Sequence, residues 1–177
     1  MCDPCADGIV AGPPMAVPAG LDGLWVAFGY EGVVREVVAR VKYRNARAAV
    51  DWLAAAMAHA LPPGSHHSAV TWAPTTHDHR RARGFDHAEL LARAIAARRR
   101  VPIRALLTRG AGLAQTGQDR AARRHGPRFD ARRDLSGQQV LLVDDVVTTG
   151  ATLTAAAAAL RRAGAHAVDG LAAARTP

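Results

Sequence analysis

Two adjacent acids followed by a threonine-rich turn are the residues of this chain best suited to chemistry. In Val140-Leu-Leu-Val-Asp-Asp-Val-Val-Thr-Thr-Gly-Ala-Thr152 a buried apolar strand leads to Asp144 and Asp145, and a Thr and Gly turn then opens a helix. Such a turn brings free backbone N–H groups and the positive end of the helix dipole around one point, where threonine hydroxyls add donors. The run Val146, Val147, Thr148, Thr149, Gly150, Ala151 and Thr152 is therefore a candidate phosphate site, with Gly150 allowing close backbone approach. Asp144 and Asp145 lie about one ribose length before it, where carboxylates accept hydrogen bonds from vicinal hydroxyls or hold a divalent ion through oxygen. Together the two halves fit a 5-phosphorylated ribose. Each half alone has a plainer reading, the acids as a solvated turn and Thr-Thr-Gly-Ala-Thr as a helix N-cap. The combination is much rarer.

The elements that must position these residues alternate along the chain. Leu24 to Tyr30 reads as a strand, and Val33, Val34, Val37, Val38 and Val41 recur at helical spacing. Ala48 to Leu61 reads as a second helix, stopped by Pro62, Pro63 and Gly64. Ser68 to Ala73 is an expected strand, Asp86 to Arg99 a helix, and Pro102 to Leu107 another short strand. Residues 108 to 134 have no clear period and are expected to form a long arginine-rich loop. Val140 to Val143, a polar turn over Asp144 to Gly150, a helix over Ala151 to Ala163 stopped by Gly164, and Ala167 to Ala173 make a βαβ unit. The fold expected is α/β, a mostly parallel sheet flanked by helices, with ligands at the carboxyl ends of the strands.

The chain has 177 residues, 49% of them hydrophobic and 21% charged, enough for one ordinary domain with its own core. Its net charge of +8 comes almost wholly from arginine, Lys42 being the sole lysine. That balance fits a nucleic acid or polyphosphate partner, and fits drift in codon composition about as well. The runs Arg98 to Arg100 and Arg161 to Arg162 lie on helices or their ends and read as solvated surface. Two cysteines, Cys2 and Cys5, exclude a disulfide framework, and no apolar run is long enough to span a bilayer. With no signal-peptide pattern at the start, a cytoplasmic location is expected. Residues 1–23 read as a Cys-x-x-Cys remnant and a Gly, Pro and Ala-rich linker, and residues 24–177 as the domain proper.

Residues 140 to 152 resemble the 5-phosphoribosyl 1-pyrophosphate (PRPP) signature of type I phosphoribosyltransferases: four apolar residues, two acids, two apolar residues and a Thr-rich loop with Gly. Ala73-Pro74, the block Arg80-Arg81-Ala-Arg83-Gly84-Phe85-Asp86-His87, and Leu107, Arg109, Gln115 and Arg123 are similar in spacing to the ComF family, as is Val41-Lys42-Tyr43. The resemblance covers most of residues 30 to 175. It implies attack by a nitrogen nucleophile on the anomeric carbon of PRPP, with Mg2+-pyrophosphate as leaving group. It further implies that Asp144 and Asp145 serve the ribose hydroxyls and residues 146 to 152 the 5-phosphate. Thr75 and Thr76 match the pyrophosphate loop by position, where backbone N–H groups face the leaving group. Arg80, Arg83, Arg123 and Arg124 would add charge there, with motion of residues 108 to 130 shielding the reactive carbon.

Two departures stand out. Asp86-His87 replaces the family's usual Asn-Gln, and Cys2 and Cys5 supply one thiolate pair where its N-terminal zinc ribbon has two. A closed zinc site needs four ligands, so Zn2+ here would need histidines or a second chain. His66, His67, His77 and His79 are candidates in principle, weighed against a reading of them as exposed histidines. The family association also brings a rival function, single-stranded DNA handling in competence. Against it stands the scarcity of aromatic residues for base stacking, 5% of the chain. Single-stranded DNA and a second copy of the chain are therefore further candidate partners beside PRPP.

Overall fold

A computed structural model describes residues 16–44, 47–76, 81, 84–110 and 127–177. Its centre is a parallel sheet of β1 (Gly23–Gly29), β2 (Ala69–Trp72), β5 (Gln139–Val147) and β6 (Ala167–Arg175), in the order β1-β6-β5-β2. Helices α1 (Gly32–Arg44), α2 (Arg47–Ala60) and α3 (His87–Arg99) belong to the core on one face, and α4 (Ala151–Arg162) to that on the other. The expected α/β architecture is the observed one. Among the described residues no helix is long and apolar enough to cross a membrane.

Strand pleating divides the core in two. In β5, Leu141 and Val143 join Val34, Val38, Leu53, Met57, Leu91 and Ile95 in one cluster, while Val140 and Leu142 join Leu153, Ala156 and Leu160 in the other. Val34, Val38 and Val41 make α1 amphipathic despite their branching, because one valine face is wholly buried.

Three sequence expectations change. The strand expected over Pro102 to Leu107 is a single bridge, Ile103 beside Val70, flanked by Val70 N–H to Pro102 O and Arg104 N–H to Val70 O, both 2.9 Å. The chain then peels away, for the Leu106 amide meets the Thr71 hydroxyl at 3.3 Å in place of a ladder carbonyl. The expected loop over 108 to 134 has ordered ends: β3 (Leu107–Arg109) pairs antiparallel with β4 (Phe129–Ala131), anchored by buried Leu107 and Phe129. Residues 111–126 lie outside the described set.

The third change concerns the acids. Asp144 and Asp145 are not in a polar turn past the strand but inside β5, which runs on to Val147. Backbone pairing is indifferent to side-chain charge, and β6 is long enough to continue the ladder through Asp144 beside Ala172 and Val147 beside Arg175. Residues 18–22 are anchored to the domain. Asp22 donates its amide to Val168 O at 2.9 Å, and Gly20 lies against Ala157 of α4.

Candidate functional site

Strand register brings two separate segments together at the carboxyl edge of the sheet. Trp72 pairs with Val143, and the Ala73 amide still reaches Val143 O at 3.1 Å, so the chain leaves the sheet at Pro74 just where β5 reaches Asp144. Beyond that point β5 continues its pairing with β6 on the other side. The loop 74–76 therefore departs beside the acidic pair.

A cleft lies at this edge, lined by Asp144 and by Val146 to Leu153. Asp144 shares the pleat of Val140 and Leu142, the face that packs on α4, and accordingly it lines the cleft while Asp145 does not. Gly150 takes φ 77° and ψ 0°, a left-handed turn natural to glycine, and caps α4 with no side-chain hydrogen bond of its own. The helix N-terminus thus borders the cleft directly, with the Ala151 amide 3.4 Å from the Thr149 hydroxyl. This is an anion-binding geometry.

Each acid folds back on the chain. Asp144 Oδ1 accepts the Asp145 amide at 2.9 Å, and Asp145 Oδ1 accepts the Val146 amide at 2.7 Å. Burial, with the neighbouring Asp145 charge and a side-chain hydrogen bond from Asp145, pushes the Asp144 carboxyl well above the ordinary carboxylate range. Carboxylate oxygens of this kind can hold a divalent cation or accept from a pair of hydroxyls.

Two residues given no site role by the sequence complete the constellation. Asp86 is buried at the N-terminus of α3, where its Oδ1 accepts the Ala88 amide at 3.2 Å and its Oδ2 the Thr75 amide at 2.8 Å. Burial raises its pKa against the pull of these amides. Arg109 of β3 donates to Pro74 O at 3.3 Å, and its guanidinium lies 5.4 Å from the centre of the Phe129 ring. Burial lowers the Arg109 pKa while the charges of Asp144 and Asp86 oppose that shift. Both lie in blocks that resemble ComF sequences, Arg109 in its spacing and Asp86 as a departure. What was missing was their meeting at one loop.

The phosphoribosyl transferase domain family matches residues 83–173, from the loop before α3 to within β6. The chain belongs to that family. Among solved structures, the allosteric regulatory enzyme of purine biosynthesis is 22% identical with a TM-score of 0.52, over 72% of this chain and 26% of that one. A purine phosphoribosyltransferase from Pyrococcus horikoshii is 18% identical with a TM-score of 0.46, over 68% of this chain and 69% of that one. A Trypanosoma cruzi hypoxanthine phosphoribosyl transferase is 16% identical with a TM-score of 0.41, over 78% of this chain and 64% of that one. The first of these likenesses shows the shared fold, and the chain spans about a quarter of that enzyme's length, 26%. No curated protein sequence matches the chain.

Within this phosphoribosyl transferase domain, Thr75 and Thr76 lie on the loop beside Asp144, but the Thr75 amide points to Asp86 and is not an open donor. Arg80, Arg83, Arg123 and Arg124 lie outside the described residues, as do Cys2, Cys5, His77 and His79. Among the described residues no group of three or more His, Cys, Asp or Glu is placed to hold a metal ion. His67 is not an exposed histidine, for it is buried with Nε2 3.0 Å from Asp169 Oδ2. The arginines read as solvated are tethers as well. Arg99 reaches Ser65 O at 2.6 Å, Arg98 reaches Asp51 O at 3.0 Å, Arg162 reaches Phe129 O at 3.2 Å, and Arg161 pairs with Asp22. Long side chains at a helix C-terminus easily reach the carbonyls of neighbouring elements.

Proposed function

We propose that this domain binds PRPP and transfers its 5-phosphoribosyl group to a nitrogen nucleophile with release of pyrophosphate, as a ComF-type member of its family. The observation that carries this reading is the run from β5 through Gly150 into α4. It sets an acid on the wall of a cleft whose other wall is a helix N-terminus. In this reading the α4 amides and Thr148, Thr149 and Thr152 take the 5-phosphate, and Asp144 and Asp145 take the ribose hydroxyls. Loop 74–76 faces the pyrophosphate. Mg2+ belongs to the reading as the partner of pyrophosphate, whose growing charge it would offset. The chain's own part is to orient the ribose and exclude water.

A single-stranded DNA role has less support. Arg98, Arg99, Arg161 and Arg162 are engaged by the chain itself, which leaves a smaller basic surface for a backbone-tracking groove. The deciding experiment is calorimetry with PRPP and Mg2+, coupled to a pyrophosphate-release assay over a panel of amines, amides and bases. Micromolar binding lost in the double Asp144→Ala/Asp145→Ala variant supports the proposal. Absence of PRPP binding removes it, and salt-sensitive binding of single strands that survives the double substitution transfers the function to DNA.

A further inference from the structure

Pro74 O and the Thr75 N–H are the two ends of a single peptide group, and each end is held by a different element. Arg109 of β3 donates to the carbonyl at 3.3 Å, while Asp86 at the start of α3 accepts the N–H at 2.8 Å. A peptide plane bonded at both ends cannot rotate without losing both contacts. The hold is asymmetric in chemistry. Asp86 uses one oxygen for the helix cap, Oδ1 to the Ala88 amide at 3.2 Å, and the other for the loop. A carboxylate can accept on both oxygens, whereas an amide side chain placed here would turn an NH2 donor towards either Thr75 or Ala88. The acid therefore has a reason of its own in this chain.

The geometry points to Asp86 and Arg109 as positioning residues that lock the Pro74–Thr75 peptide plane and so set how the loop 74–76 meets a pyrophosphate group. This rests on the PRPP reading given above. Asp86 is buried behind the loop and acts through Thr75, and Arg109 joins the loop to the electrostatics of Asp144. The two tie the leaving-group side of the site to α3 and to the β3–β4 ribbon, whereas the ribose phosphate side is built from β5 and α4. The two halves can therefore be uncoupled by substitution.

The test measures affinity for two fragments, ribose 5-phosphate and inorganic pyrophosphate with Mg2+, and for PRPP, by calorimetry on the full chain. Asp86→Asn keeps a capping oxygen for Ala88 and loses the acceptor for Thr75, and Arg109→Gln removes the other grip. Each substitution is expected to weaken pyrophosphate and PRPP binding about tenfold and to leave ribose 5-phosphate binding unchanged. Pyrophosphate affinity equal to the parent in both variants overturns the clamp, as does an equal loss for both fragments, which a merely structural role would give. Should Asp86→Asn fail to fold, Arg109→Gln, away from the helix cap, decides alone. A parent protein that binds pyrophosphate but neither ribose 5-phosphate nor PRPP overturns the PRPP reading. One that binds ribose 5-phosphate but not pyrophosphate overturns the clamp and leaves the phosphate loop standing.

Discussion

Asp144 accepts the backbone amide of Asp145 at 2.9 Å from within a β-strand, so the first acid of the pair is held in place by the second residue's own main chain. An acceptor fixed in this way needs no reorganisation to meet a ligand hydroxyl.

Replacing either acid should therefore weaken ligand binding without unfolding the protein. Asp144→Asn and Asp145→Asn are each expected to reduce PRPP affinity about tenfold, the scale of one charge-assisted hydrogen bond. Calorimetry gives the answer. Unchanged affinity in both would remove the pair from the site.

The same carboxyl carries a stability cost. Burial first, and the Asp145 charge after it, raise the Asp144 pKa above 3.8. Between that value and the folded one the native state holds more protons than the unfolded chain, so stability is fullest below 3.8 and falls as pH rises through the folded value. Asp144→Asn should be more stable than the parent at neutral pH by about 1 kcal/mol, the common scale for relieving a functional site. The margin should close as pH approaches 3.8. Urea titrations from neutral pH to pH 4 would show it, and a variant less stable at neutral pH would contradict it.

Gly150 tests the phosphate turn. A Cβ at φ 77° costs about 1 to 2 kcal/mol and shifts the backbone from which the first amides of α4 are presented. Gly150→Ala should lower the melting temperature and at least tenfold weaken ribose 5-phosphate binding, since a displaced donor loses its hydrogen bond. Retained affinity would show that the turn does not receive the phosphate.

His67 supplies a control remote from the cleft. It precedes β2, and its partner Asp169, also within 3.3 Å of Gln139 Nε2, lies near the start of β6, at the opposite edge of the sheet. Removing one side of a buried hydrogen bond costs about 1 to 3 kcal/mol, so His67→Ala should be destabilised by that amount while PRPP affinity is unchanged. A loss of affinity in this variant at temperatures where it is folded would point to coupling across the sheet.

Local pattern made much of this legible. The βαβ unit of β5, α4 and β6 follows from apolar runs and helical spacing, and Asp86 to Arg99 was readable as a helix because its cap and its apolar face are both local signals. The β3–β4 ribbon was not readable. Its strands are three residues each, and their pairing of Leu107 with Ala131 joins positions too far apart for any period to show. Charge in a strand is uncommon, so the local pattern places Asp144 and Asp145 in a turn, yet the ladder with β6 carries them.

By itself the sequence determined the four helices and the apolar stretches of the four central strands, which of their faces are apolar, and that two acids precede a Thr- and Gly-rich turn. Those properties depend on neighbours three or four positions away. Only the tertiary structure decided that β2 lies beside β5, that Pro74 leaves the sheet next to Asp144, and that Asp86 and Arg109 grip one peptide of that loop from two directions. Strand order and loop closure are settled by how two apolar layers pack on a sheet, a long-range balance that no single segment carries in its own pattern.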